Sequence, residues 1–132
     1  MSKMFVIKFS DSKDKIDFPS EEIVSAGNGL VGYKLTKGTR KDLELQILGR
    51  LFKEAMNNLP QMDKVFECKD CLDQVKDFNG GKSMEFTKDD MDHLMLGFTK
   101  TADRRPDVWM EECFDLFKQI KDPVEKEIKK TK

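Results

Sequence analysis

Thr39-Arg40-Lys41-Asp42-Leu43-Glu44-Leu45-Gln46-Ile47-Leu48-Gly49-Arg50-Leu51-Phe52-Lys53-Glu54-Ala55-Met56-Asn57-Asn58-Leu59-Pro60 carries its own start and stop signals. Thr39 with Asp42 three residues on resembles a capping box, aspartate replacing the usual glutamate, so each side chain can hold a backbone N–H of the other. Leu43, Ile47, Leu48, Leu51, Phe52, Ala55, Met56 and Leu59 then recur at intervals of three and four, which places them on one wide helical face. Pro60 lacks the N–H needed to extend the ladder. The stretch predicts a helix of about five turns.

Toward the C-terminus the helical pattern repeats. Met62, Val65, Phe66, Leu72 and Val75 predict a second, less regular helix that ends near Asn79-Gly80-Gly81. Thr87 and Asp90 repeat the cap, and Phe86 and Met91 flank it as a hydrophobic staple would. Met91, Leu94, Met95 and Phe98 form the apolar face of this third helix. A polar connection from Lys100 to Arg105 leads to Pro106, well suited to a first helical turn. Trp109, Cys113, Leu116, Phe117 and Ile120 then define a fourth helix. Asp122-Pro123 is expected to break it, leaving a lysine-rich, frayed tail from Val124 to Lys132.

Toward the N-terminus the period changes to two. Phe5, Ile7 and Phe9 alternate with Met4, Val6 and Lys8, which predicts a strand. Ile16-Asp17-Phe18 could pair back on it after the polar turn at residues 11–15. Pro19 to Glu22 could open a short helical turn capped by Ser20. Gly27-Asn28-Gly29 marks a turn that requires positive φ, and Leu30 to Leu35 is a further strand candidate. The fold class is therefore α+β: a short N-terminal β hairpin or small antiparallel sheet, followed by about four amphipathic helices packed as a bundle. The expected organisation is one domain over residues 1–132, β-rich over 1–38, helical over 39–121, with a basic tail over 122–132.

Composition narrows the function. The 132 residues include ten Phe and eight Met, enough bulk for one packed core. Lys plus Arg number 24 against 25 Asp plus Glu, a net charge of -1, whereas proteins that grip phosphate backbones carry a basic excess. The opening residues hold no apolar run long enough for a secretory signal, and no stretch approaches the ~20 apolar residues of a membrane span. The three cysteines are read as reduced thiols in a cytoplasmic protein.

Cys68-Lys69-Asp70-Cys71 is the spacing closest to a chemical motif. Two thiolates three apart can hold zinc, with His93 and Cys113 as the further ligands available by type, or form a redox pair at a helix start. Because the pair lies inside a helical pattern, the favoured reading is small apolar filler beside the core, with no cofactor. Asp77 to Glu85 briefly resembles a calcium loop, but lysine occupies both the turn glycine position (Lys82) and the bidentate acid position (Lys88). It is expected to be an ordinary turn between helices. His93, alone of its kind, is placed beside the apolar face as a boundary residue without an orienting partner. Asp89, Asp90 and Asp92, and Glu111, Glu112 and Asp115, fall near helix starts, where they complement the dipole.

Basic residues form two groups: Lys34, Lys37, Arg40 and Lys41 around the start of the long helix, and Lys100, Arg104 and Arg105 before the last. Together with Asp103 these are the candidate partner-binding residues, above all Lys37, Arg40, Lys41, Arg104 and Arg105. The methionines on helix faces leave room for an apolar groove or an interface between copies. No enzyme site can be read. The expectation is a non-enzymatic protein-binding, adaptor or inhibitor module whose partner is another protein or itself. Its alternatives are a nucleic-acid-associated protein using the same charges and a small zinc protein through the cysteine pair; a membrane partner is not expected. In style the chain is similar to small accessory proteins of phages and mobile elements, a similarity that carries no site residue.

Overall fold

The computed structural model describes residues 4–27, 29–78, 80–101 and 113–130. In chain order the elements are β1 (Phe5–Lys8), β2 (Ile16–Gly27), β3 (Leu30–Gly38), α1 (Arg40–Met56), α2 (Met62–Asp77), β4 (Ser83–Phe86), α3 (Lys88–Thr101) and α4 (Phe114–Lys130). The fold is α+β, with two small antiparallel sheets and four helices among the described residues.

α1 is the centre of the packing. Its capping box forms as expected, with the Asp42 N–H donating to Thr39 Oγ1 at 3.2 Å and the Thr39 N–H to Asp42 Oδ2 at 3.0 Å. Its end is closed by the Asn58 side-chain amide, which donates to the Glu54 carbonyl at 2.7 Å, supplying a partner for one of the last carbonyls of the helix. Leu43, Ile47, Leu48, Leu51, Phe52 and Ala55 are wholly buried. α2 packs along one side of α1 and α3 along another, and α4 packs on α3. α3 carries the second capping box, from the Thr87 N–H to Asp90 Oδ2 at 3.0 Å and from the Asp90 N–H to Thr87 Oγ1 at 3.1 Å. The residues of the expected staple, Phe86 and Met91, are both buried.

The strands pair differently from expectation. β1 does not fold back on Ile16-Asp17-Phe18; it pairs antiparallel with β4, placing Phe5 opposite Phe86 and Ile7 opposite Met84. The segment expected to be only a helix–helix turn thus contains a strand, in which Met84 and Phe86 are buried while Ser83 and Glu85 are exposed. The other edge of β1 is met by one side chain. The Lys8 N–H donates to Gln119 Oε1 at 2.7 Å, and Gln119 Nε2 donates back to the Lys8 carbonyl at 2.9 Å. Ile16 to Phe18 instead begins β2, which pairs with β3 as a two-stranded ribbon. The helical turn expected at Pro19 to Glu22 is replaced by strand with a register shift between Pro19 and Ile23, since Pro19 can be held in a strand at such an irregularity. Gly27 and Gly29 do take positive φ, 85° and 78°.

One helix boundary also differs. α4 runs through Pro123 to Lys130 instead of breaking there. Proline costs ~3 kcal/mol in a helix interior, but Ile120 is buried before it and Val124 packs against the core after it, so burial on both sides keeps the axis continuous. Pro106 and Trp109, expected at the start of this helix, lie outside the described residues.

α1 and α3 meet at Gly97. A Cβ built there would stand 2.1 Å from the Leu51 carbonyl oxygen, which no side-chain rotation relieves. Gly97→Ala is therefore expected to destabilise the fold by about 3 kcal/mol or more. Gly49→Ala, where the nearest atom is Leu72 Cδ1 at 3.4 Å, gains helix propensity and should stay within about 1 kcal/mol of the parent. Urea unfolding of the two variants checks the contrast.

Candidate binding groove

Residues 8–12 at the end of β1, Thr39 and Lys41 at the start of α1, and residues 80–83 leading into β4 line an open groove of about 570 Å³. Three separate segments each contribute one lysine, Lys8, Lys41 and Lys82, and among the described residues the only carboxylate in the lining is Asp11. The walls are held by local chemistry. The Ser12 N–H donates to Ser10 Oγ at 3.2 Å and the Asp14 N–H to Ser12 Oγ at 3.3 Å, so this polar segment folds on its own hydroxyls. The Ser10 N–H donates to Glu44 Oε1 at 2.8 Å, tying the segment to α1. Glu44 is buried, and burial raises its carboxyl above the usual range against the opposing pull of the Ser10 hydrogen bond and Arg40.

On the opposite wall, Gly80 takes a φ of 78°, a conformation that favours glycine. Lys41 Nζ donates to the Gly81 carbonyl and lies 5.1 Å from the centroid of the Phe78 ring, an arrangement in which the ring face attracts the cation. Phe78 in turn meets Phe9 at 5.2 Å between centroids. A smaller groove of about 410 Å³ between α1 and the end of α2 carries one carboxylate, Asp42, and one ammonium, Lys76, so its charges offset each other.

Of the expected partner-binding residues, Lys41 lines the groove, and Lys37 is exposed on β3 opposite Asp17. Arg40 is half-buried in the first turn of α1. Asp103, Arg104 and Arg105 lie outside the described residues, so the two basic groups are not brought together in what is described. Lys8 and Lys82 were not among the expected residues. Nothing local marks them, because they meet only through the non-local pairing of β1 with β4, whose register sets Lys8 opposite Ser83.

The cysteines sit in the core. Cys68, Cys71 and Cys113 are all buried and none is in a disulfide, and among the described residues no group of three or more His, Cys, Asp or Glu is placed to hold a metal ion. Cys71 donates to Asp90 Oδ1 at 3.2 Å, so the carboxylate that caps α3 also ties it to α2. Burial foremost, with the Asp90 charge behind it, pushes the Cys68 thiol up to about 11. Burial and the hydrogen bond to Asp90 push Cys71 up as well. Neither thiol is poised as a nucleophile. His93 corrects its expected boundary position: it is buried, 7% exposed, and among the described residues its Nδ1 has no hydrogen-bond partner. His93 lies one turn before Gly97, so it shares the face that α3 turns toward α1 and not the face marked by Met91, Leu94, Met95 and Phe98.

Comparison with known protein families, with curated proteins and with solved structures finds no match. Among the described residues no helix is long and apolar enough to cross a membrane.

The native state keeps these thiol protons above 9.0, the ordinary thiol value, so the thiols add stability that is fully present below that pH. That stability is lost as pH rises from 9.0 toward 11. Urea unfolding at rising pH should show the loss, and the double variant Cys68→Ala/Cys71→Ala should show less of it. In the folded parent both thiols should resist iodoacetamide near neutral pH and react once unfolded. His93→Leu, which removes an unpartnered buried nitrogen, is expected to be neutral or stabilising by about 1 kcal/mol in the same unfolding measurement.

Proposed function

We propose that the protein is a non-enzymatic binding module that acts by covering or bridging another protein. The observation that carries this reading is the convergence of Lys8, Lys41 and Lys82 on one groove beside the root of the β2–β3 ribbon. The ribbon supports it. Its base is anchored by buried Phe18 and by Gln46 Nε2, which donates to the Pro19 carbonyl at 2.7 Å. Beyond that base its principal contacts are between its own two strands. A two-stranded ribbon on its own is marginally stable in water, and its outer edges offer backbone groups to a partner. The chemistry of the core points the same way, since the buried thiols are held protonated and Nδ1 of the buried histidine has no partner among the described residues.

Association with nucleic acid through the same lysines is the second reading, favoured by their gathering in a chain that is nearly neutral overall. A phage or mobile-element accessory role and a cytoplasmic location fit either reading.

Photo-crosslinking in the source cell tests the proposal. A photoreactive residue replacing Lys82 should yield one dominant protein adduct, whereas the same residue replacing exposed Lys69 on α2 should not. A nucleic-acid adduct from position 82 would transfer the assignment to the second reading, and equal adducts from both positions would overturn the groove as the site.

A further inference from the structure

We infer that the groove at the start of α1 takes an acidic peptide segment whose carboxylates lie among Lys8, Lys41 and Lys82. This rests on the protein-binding reading and adds the chemistry of the partner. The chain as a whole has a net charge of -1, yet this groove gathers three ammonium groups against the one carboxylate of Asp11. Such a local excess in a recess attracts anions more strongly than the same charges spread over an open surface.

Size and donor geometry favour a peptide. A volume of about 570 Å³ suits a short stretch of chain better than a lone inorganic anion. Among the described residues no arginine lines the groove. Phosphate groups are read best by the planar guanidinium fork, whereas lysines act as separate point charges. Point charges set on three separate segments match carboxylates spaced along an extended chain. Single-stranded nucleic acid would also want exposed aromatic faces to stack its bases on. Among the described residues the one aromatic in the lining, Phe9, is buried and packed against Phe78.

Lys41 is the fixed member of the set, held by the Gly81 carbonyl and the Phe78 ring. Lys8 and Lys82 are exposed, so they can be exchanged without opening the core. Asp11, also exposed, opposes the ligand.

The test is fluorescence anisotropy of a labelled oligoglutamate titrated with the full chain, with oligoglutamine and oligothymidylate as comparison probes. Saturable binding of oligoglutamate, weakened by salt and absent for oligoglutamine, is expected. The double variant Lys8→Glu/Lys82→Glu should weaken it by about tenfold or more, and Asp11→Asn should strengthen it about two- to threefold. Circular dichroism checks folding, and the milder single variant Lys82→Gln should weaken binding in the same direction if the double variant misfolds. Binding that ignores all three variants would overturn the groove assignment while leaving the protein-binding reading to the crosslinking result. Absence of oligoglutamate binding would overturn the acidic-peptide chemistry. Equal binding of oligothymidylate, lost in the same variants, would overturn the peptide assignment in favour of nucleic acid.

Discussion

The backbone-to-backbone approach of α3 to α1 at Gly97 is the constraint from which most other positions follow. With only a hydrogen on its α-carbon facing the Leu51 carbonyl, Gly97 lets the two helices close to a distance that no other residue permits. Once α3 is seated, the segment before it is seated too, and Phe86 comes to lie 5.8 Å from Phe52 between ring centroids. That contact places β4, and β4 places β1. On the other side of α3, Phe98 and Phe117 meet at 4.9 Å and bring in α4. The groove at the start of α1 is thus bounded by elements whose positions trace back to a contact in the middle of the core.

How far the sequence foretold this depends on how local each determinant is. The two Thr-x-x-Asp caps and the positive φ of Gly27 and Gly29 act within a few residues and appear as expected, while α1 ends at Met56, four residues ahead of Pro60. β4 has the alternation of a strand over only four residues, too short to stand out beside Gly80-Gly81 on one side and a helix cap on the other. Its identity depends on Phe5 and Ile7, some eighty positions away. Pro123 misleads for a similar reason: its cost is local, while the burial that outweighs it comes from the rest of the fold. His93 was misplaced because the face that α3 turns toward α1 is marked in the sequence by Gly97, a residue that carries no apolar signal.

The candidate site was partly foreseen in the same sense. Lys41 stood out because it clusters with Lys37 and Arg40 along the chain. Lys8 and Lys82 did not, because each is an isolated lysine until the antiparallel register brings their segments together. Lys41 also turned out to serve the fold as well as the surface: its ammonium joins the helix start to the loop ahead of β4, so the charge that a partner would meet is also one that keeps the groove wall in place. The cysteine pair, prominent as a spacing, resolves into packing and a single thiol–carboxylate tie between helices.

Gln119 carries a consequence for how molecules of this protein behave when crowded. A strand at the border of a sheet invites any other extended chain to add on, which is how ordered aggregates begin. At Lys8 both backbone groups facing outward from β1 are already taken by one carboxamide, so that rung is closed to newcomers by a residue from a helix more than a hundred positions away. The guard is therefore present only when the C-terminal helix is docked. A nascent or truncated chain lacking α4 would expose a border strand beside the apolar side chains of Met4 and Val6, and its tendency to self-associate would be set by a helix that is made after all four strands.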